Sequence, residues 1–512
     1  MSELPLLPDD AVLERPVRAP WSAKGRVAVC DIGSNSVRLV IYEALSRTAA
    51  SLHNEKTICS IGRDLVSTGQ LNREGCELAL ESLRRFRVRV ENPNMGVVAR
   101  EAVATAAARD AKNGADFVRD AEAAWGAPVR VLSGQEEARL AGAGVLASIP
   151  DADGIAADLG GGSLDISELR GGKTGEGITL PVGPLRLLDL SKGDMDKARA
   201  YVDAELAKVS QLRAMEHRTL YAVGGIWRSF ARVDMLREQY KLHMLQHYAI
   251  PCDRALALCS VLAKQGRKSL ELMADVSKRR IELLPYGAAV LQRLLAAVKF
   301  KEIVISANGL REGLLFEKMP EAERAKDPLI DFASHENARL ARSPAHAMEM
   351  FHWMSPLFEG ENAEMRRLRQ AACLFADIGW RRHPDQRALG TYDEVLNFAF
   401  MGADHRARKF IATAVYYRYA SEEEVPEEID IPGLLDKQDS RRAFRIGLAA
   451  RLAFDLSASA TGELVQYRLR TTPSKVMLEV PKRRGMVADE TVSKRLFSLG
   501  VALDRKAEIL LR

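Results

Sequence analysis

The residues best suited to chemistry lie in a motif that occurs twice. An apolar strand ends in an aspartate, followed by an apolar residue, a glycine and a short turn of hydroxyls or glycines. The first copy reads Val27-Ala-Val-Cys-Asp31-Ile-Gly33-Ser34-Asn35-Ser36, the second Ile155-Ala-Ala-Asp158-Leu-Gly160-Gly161-Gly162-Ser163. Each strand delivers one carboxylate to its end, and the small residues that follow let backbone N–H groups approach an oxyanion. A second alternating run follows each turn at once, Val37-Arg38-Leu39-Val40-Ile41 and Leu164-Asp165-Ile166-Ser167. Both turns therefore read as hairpin tips able to wrap a phosphate. A carboxylate beside phosphate is repulsive unless a divalent cation, usually Mg²⁺, or a water lies between them. One copy alone would serve equally as a tight turn with a capping aspartate; two matched copies point to a metal-phosphate site between two lobes.

Ser133-Gly-Gln-Glu136 has the pattern of a capping box, with Glu136 reaching back to the Ser133 amide. Glu137 is not needed for that task and points elsewhere, either as a favourable carboxylate in the first helical turn or as a group that activates water. Arg109 follows the small residues from Ala104 to Ala108, which leave room for something to lie against them; its planar fork suits phosphate oxygens, with a solvated arginine opening a helix as the alternative. A third glycine pair, Gly224-Gly225, follows the run Thr219 to Val223 and precedes the bulky Ile226-Trp227.

Elements of both periods position these residues. Strands are predicted at Arg26 to Cys30, Val37 to Tyr42, Gly96 to Ala99, Val129 to Leu132, Gly154 to Ala157, Leu164 to Leu169, Thr219 to Val223 and Glu302 to Ile305, with a helix from Gly75 to Val90. This is α/β text. After Met319 helices take over, at Asn337 to Phe358 and Met365 to Phe375. Two alternating runs, Leu464 to Leu469 and Lys475 to Val480, predict a small terminal α/β element. The proline-bearing start has little periodicity, and the acidic stretch Ser421 to Glu428 reads as a surface connection.

The paired loops resemble the actin-like ATPase superfamily. Asp31-Ile-Gly-Ser-Asn-Ser with Arg38, and Asp158-Leu-Gly-Gly-Gly-Ser, resemble within it the exopolyphosphatase and guanosine pentaphosphate phosphohydrolase family. The resemblance continues through Val103-Ala-Thr105-Ala-Ala-Ala-Arg109-Asp-Ala-Lys-Asn113, Ser133-Gly-Gln-Glu-Glu137-Ala-Arg139, Ala222-Val-Gly224-Gly225 and Leu310-Arg311-Glu-Gly313. The family's Thr-Glu after the second loop is Leu164-Asp165 here, a carboxylate one methylene shorter.

The resemblance implies two actin-like, ribonuclease H-like lobes with a cleft between them, at residues 25–142 and 143–322, behind a leader at 1–24. An HD-like helical domain at 323–430 and a small α/β segment at 431–512 follow. Ala376 stands where an HD pair would place histidine before Asp377, so no second metal centre is expected. The implied activity is hydrolysis of the terminal phosphoanhydride of inorganic polyphosphate, with guanosine pentaphosphate as the alternative substrate and guanosine tetraphosphate as its product.

In that reading Glu137, Arg109 and Asp158 are catalytic. Asp31, Gly33, Ser34, Asn35, Ser36, Arg38, Thr105, Gly160, Gly161, Gly162 and Ser163 hold phosphate, and Asp158 with Asp165 binds Mg²⁺ or another divalent cation. A homodimer is implied by the resemblance alone. A kinase of the same superfamily is the rival reaction, opposed by Glu137 and by the crowded Gly224-Gly225 turn. A sensor with a dead site is opposed by the retention of Asp31, Glu137 and Asp158 together.

Composition bounds the rest. The 512 residues carry 74 Lys and Arg against 69 Asp and Glu, a net charge of +5, so nothing demands a nucleic-acid or membrane partner. The six cysteines show no CxxC spacing, which argues against a zinc site or a disulfide framework and favours a reducing cytoplasm. No apolar run is long enough to span a bilayer. A cluster from Arg366 to Lys409, including Arg367, Arg369, Arg381, Arg382, Arg387, Arg406 and Arg408, is expected to offer a polyanion a basic wall, with a scattered solvated face as the alternative.

Overall fold

The computed structural model describes residues 25–265, 278–420, 425–427 and 430–512. The expected leader and most of the acidic connection lie outside them. The strand-ending aspartates sit in two sheets of the same design. In the first, β1 (Arg26–Ile32), β2 (Ser36–Tyr42) and β3 (Ser51–Ile58) form an antiparallel meander, while β4 (Val97–Ala104) and β5 (Val129–Val131) extend it in parallel from β1. In the second, β6 (Gly154–Leu159), β7 (Leu164–Arg170) and β8 (Lys173–Leu180) repeat the meander. Then β9 (Thr219–Val223) and β11 (Ile303–Ile305) add in parallel from β6, and β10 (Ala249–Ile250) closes the edge. The order 3-2-1-4-5 of the first sheet thus recurs as 8-7-6-9-11, so the duplicated motif reports a duplicated lobe.

Two helices fill the space between the sheets, Gly134–Ser148 and Leu310–Lys318. Leu140, Leu314 and Leu315 pack against Val27, Val29 and Val40 of the first sheet, while the first helix also lies along β6, β7 and β8. These helices approach so closely that a Cβ on Gly313 would stand 1.8 Å from the Leu140 carbonyl oxygen. Only glycine permits that contact. The helix Gly134–Ser148 runs through the boundary expected between residues 142 and 143 and serves both lobes. The other face of the first sheet is covered by Leu83, Phe86 and Trp125, which is why the β1 sequence is apolar at nearly every position.

Beyond Met319 the chain is helical as expected, with Pro328–Leu340, His346–Trp353, Ala363–Phe375, Pro384–Asn397, His405–Ala420 and Lys437–Ser457 as its main elements. The terminal element is a sheet of β12 (Arg468–Thr471), β13 (Lys475–Val480) and β14 (Lys506–Leu511) covered by the helix Glu490–Ala502. Leu478, Val480 and Leu496 belong to the same apolar cluster as Phe375 and Phe410, so residues 431–512 share one core with the preceding helices. Leu464–Gln466 is a 3₁₀ turn, not the start of a strand. No described helix is long and apolar enough to cross a membrane.

Candidate active site

In both hairpins the turn is closed in the same way: the Gly33 amide donates to the Ser36 carbonyl, and the Gly160 amide to the Ser163 carbonyl, each at 3.0 Å. The two tips face each other. A Cβ on Gly161 would stand 3.2 Å from the Ser34 Cβ and 3.5 Å from the Asn35 Cβ, and one on Gly162 would meet the Ser34 Oγ at 3.3 Å. Between them opens a cavity of about 170 Å³. Every site residue expected from the sequence lines it except Arg109.

Sheet register arranges the charged groups. Asp31, Arg38 and Lys56 are direct cross-strand partners on β1, β2 and β3, and Asp158, Asp165 and Thr179 occupy the same row on β6, β7 and β8. Partners opposed in register project from one face, so each row looks into the cleft. Arg311, from the second bridging helix, donates to the Asp31 Oδ2 at 2.8 Å.

The capping box is formed as expected. The Ser133 amide donates to the Glu136 Oε2 at 2.8 Å and the Glu136 amide to the Ser133 Oγ at 3.2 Å. Glu137 points the other way, is 5% exposed, and receives the Arg109 guanidinium in an ion pair. Arg109 also donates to the Leu132 carbonyl at 2.9 Å. The arginine expected to touch phosphate therefore stands behind the glutamate. Burial, then the Asp165 carboxylate, push Glu137 well above the ordinary carboxylate range against the opposing pull of Arg109. Its carboxylate is thus far more basic than an exposed one.

Asp165 accepts from the Ser163 hydroxyl at 2.9 Å and from the Thr179 hydroxyl, one on each oxygen. Asp158 accepts no side-chain hydrogen bond among the described residues; desolvation, with Asp31 adding to it and Arg228 opposing, pushes it up to about 6. Of the two expected metal ligands, Asp158 is thus the one with uncommitted lone pairs. Among the described residues no three His, Cys, Asp or Glu side chains converge to hold an ion unaided. That donor set fits Mg²⁺, which commonly takes one or two carboxylates and completes its shell with water and substrate phosphate.

Residues 40–322 match the model of the Ppx/GppA phosphatase family. The chain belongs to that family. Residues 329–510 match the exopolyphosphatase C-terminal domain. The solved exopolyphosphatase from Cytophaga hutchinsonii is 23% identical with a TM-score of 0.52, covering 57% of this chain and 96% of its own. A solved exopolyphosphatase-like protein is 22% identical with a TM-score of 0.51, covering 57% and 97%. These neighbours share the fold of the two lobes, and the Ppx/GppA assignment makes the chain a phosphatase.

The structure of this Ppx/GppA member also corrects the sequence reading. Most of the basic wall expected on the helical domain is consumed within it, while Arg366 and Arg381 lie over the rings of Phe351 and Trp380. Arg369 is buried on Glu361, Arg408 donates to the carbonyls of Leu396, Phe398 and Phe400, and Lys409 donates to the Ile431 carbonyl beside Asp430. Arg367, Arg382 and Arg406 pair with Asp327, Glu394 and Asp439. These cations bind their own domain. Asp377, which follows Ala376, accepts from the Arg342 guanidinium and amide. Trp227 does not crowd the Gly224-Gly225 turn; its indole is buried and donates to the Gly287 carbonyl at 3.1 Å, and it is Ile226 that lines the cavity. The positive charge missed by the sequence reading lies in the cleft itself, on Lys56, Arg228 and Arg280. No local motif marks them, because register and helix packing bring them together.

Proposed function

We propose that the protein is an exopolyphosphatase, releasing orthophosphate from the end of inorganic polyphosphate. The observation that carries this reading is the contact of the two glycine tips around one cavity whose wall holds Glu137 and Asp158. The tips' amides and hydroxyls hold the terminal phosphoryl group. Glu137 takes a proton from a water placed against phosphorus, the water oxygen bonds to phosphorus, and the bridging P–O bond breaks with its electrons on the leaving chain. The products are orthophosphate and a chain shorter by one. Asp158, with Asp165 behind it, would hold Mg²⁺ or another divalent cation, which when bound neutralises phosphate oxygens. Arg109 favours the ionised form of Glu137 against burial and aims it.

Polyphosphate is favoured over guanosine pentaphosphate because no aromatic side chain lines the cavity among the described residues, leaving no ring on which a base would stack. A cytoplasmic enzyme suits the six free cysteines, and a homodimer accords with the family resemblance. The test is orthophosphate release from long polyphosphate and from guanosine pentaphosphate, side by side, with and without Mg²⁺. Cleavage of the nucleotide alone overturns the substrate assignment; release undiminished by chelation overturns the cation.

A further inference from the structure

The second glycine tip is held from outside the cavity. The helix Pro184–Ser191 starts directly beside it, where a Cβ on Gly183 would stand 2.4 Å from the Gly161 carbonyl oxygen. From that helix the Leu185 amide donates to the Gly161 carbonyl at 2.9 Å, and the Arg186 Nε to the Gly162 carbonyl at 3.2 Å. Both glycine carbonyls are thereby taken. In a trans peptide the carbonyl and the next N–H point to opposite sides, so anchoring the Gly162 carbonyl also fixes where the Ser163 amide points. A tip that receives an oxyanion must present its N–H groups and turn its carbonyl dipoles away.

Arg186 also crosses to the first lobe. Its Nη2 donates to the Asp110 Oδ2 at 2.8 Å, while the other oxygen of Asp110 accepts from the Arg109 Nε at 3.2 Å. Arg109 in turn pairs with Glu137. One carboxylate thus joins the residue that aims the base to the residue that holds the phosphate tip. Neither Asp110 nor Arg186 lines the cavity. The Asp110 side chain is 35% exposed and that of Arg186 21%, and an ion pair so open to water adds little to stability. The same helix has a second mooring on the first lobe, where the Asp189 Oδ2 accepts from the amides of Val66 and Ser67, each at 3.0 Å. The lobes therefore keep a contact on this side without Asp110.

We propose that Asp110 and Arg186 are positioning residues of the hydrolytic site, a link through which Glu137 and the Gly161-Gly162 tip are placed together. This deepens the hydrolase reading and rests on it. Water attack needs base, water and phosphorus in one line of approach, and here the tip belongs to the second lobe while Arg109 behind the base belongs to the first. A guanidinium presents its donors in a rigid fork, so fixing the Arg186 Nη2 on Asp110 also fixes the direction in which its Nε meets Gly162. Without Asp110, the Leu132 carbonyl is what remains to steady Arg109 behind Glu137.

The test is a double-mutant cycle on Asp110→Asn and Arg186→Gln, read as orthophosphate release from long polyphosphate with Mg²⁺ and as calorimetric binding of inorganic pyrophosphate. Each single substitution is expected to lower kcat about tenfold while KM and the pyrophosphate affinity change no more than about threefold. The double variant should lose no more than either single one, because both break the same link, and Asp110→Glu should recover part of the loss. The melting temperature of each variant should stay within about 2 °C of the wild type. Losses in kcat that multiply to about a hundredfold, no loss in kcat, or a loss that only follows the fraction unfolded overturns the link. Should guanosine pentaphosphate alone be cleaved, the same cycle is read on it. A wild-type chain that releases no orthophosphate from either, yet whose pyrophosphate affinity falls equally in both single variants and the double, sinks the hydrolase reading and leaves the link to the tip standing. No release together with equal affinity in all four chains sinks both.

Discussion

The two lobes share a backbone and differ in one row of side chains. Across the first meander the row reads Asp31, Arg38, Lys56; across the second it reads Asp158, Asp165, Thr179. Equivalent positions carry cations in one lobe and acid or hydroxyl in the other. In the proposed mechanism the first lobe holds an anion, and the second a cation and the attacking water. A duplicated fold thus becomes an asymmetric site through residues at the second and third positions of each row, while the glycine tips remain alike. The electrostatics follow the same division, with carboxylates raised on the acidic side and basic groups lowered on the cationic side.

Breaking the acidic row should have the largest effect. Asp158→Asn keeps the shape but removes the charge that answers a cation, and kcat should fall about 10² to 10³-fold. Added Mg²⁺ should not restore it; full rescue would remove Asp158 from the metal site. Next comes the spacing of the rows. Gly161→Val pushes a side chain toward Ser34 and toward Leu185, where even a Cβ would stand 3.0 Å from the Leu185 Cδ1. The tips must separate, and kcat/KM should drop about 10 to 10²-fold, whereas a wild-type rate would mean that the tips do not grip the reacting group.

The link between rows is finer. Arg109 pulls Glu137 downward, so Arg109→Gln should raise the pKa of Glu137 further. A base must be deprotonated to act, so the acid limb of the pH–rate profile should move to higher pH; an unmoved limb would detach Arg109 from Glu137. The smallest effect belongs to the cap. The Ser133 amide, first among the causes, lowers Glu136 below the ordinary carboxylate range. Glu136 therefore stabilises the fold above its unfolded pKa, a contribution lost as pH falls through its folded value. Glu136→Gln should cost about 0.5 kcal/mol at neutral pH and leave kcat within about twofold; a loss comparable to that of Glu137 would undo the division of labour.

What could be read from the sequence was what is local in the chain. The turns at Gly33 and Gly160, the capping box at Ser133 and the strands leading into them each need particular residue types within a few positions, and the structure has them there. The strands that supply Lys56 and Thr179 escaped the reading. Ser51–Ile58 is largely polar and partly exposed, and Lys173–Leu180 carries Gly175 and Gly177, so neither shows an apolar alternation. Arg228 and Arg280 lie in segments with no motif of their own, and only tertiary packing turns them into the cleft. The basic wall was misread for the opposite reason. Sequence density of arginine says nothing of partners, and Glu361, Asp327, Asp439 and backbone carbonyls consume that charge.

The central claim is that Glu137 activates water against a phosphoryl group already held by the two tips. Its most direct test compares the wild-type chain with Glu137→Gln, measuring orthophosphate release from long polyphosphate with Mg²⁺ beside calorimetric binding of the same polymer. The account predicts that release falls about 10² to 10⁴-fold while affinity changes less than about threefold. Release at the wild-type rate, or a loss of binding as large as the loss of turnover, would contradict it.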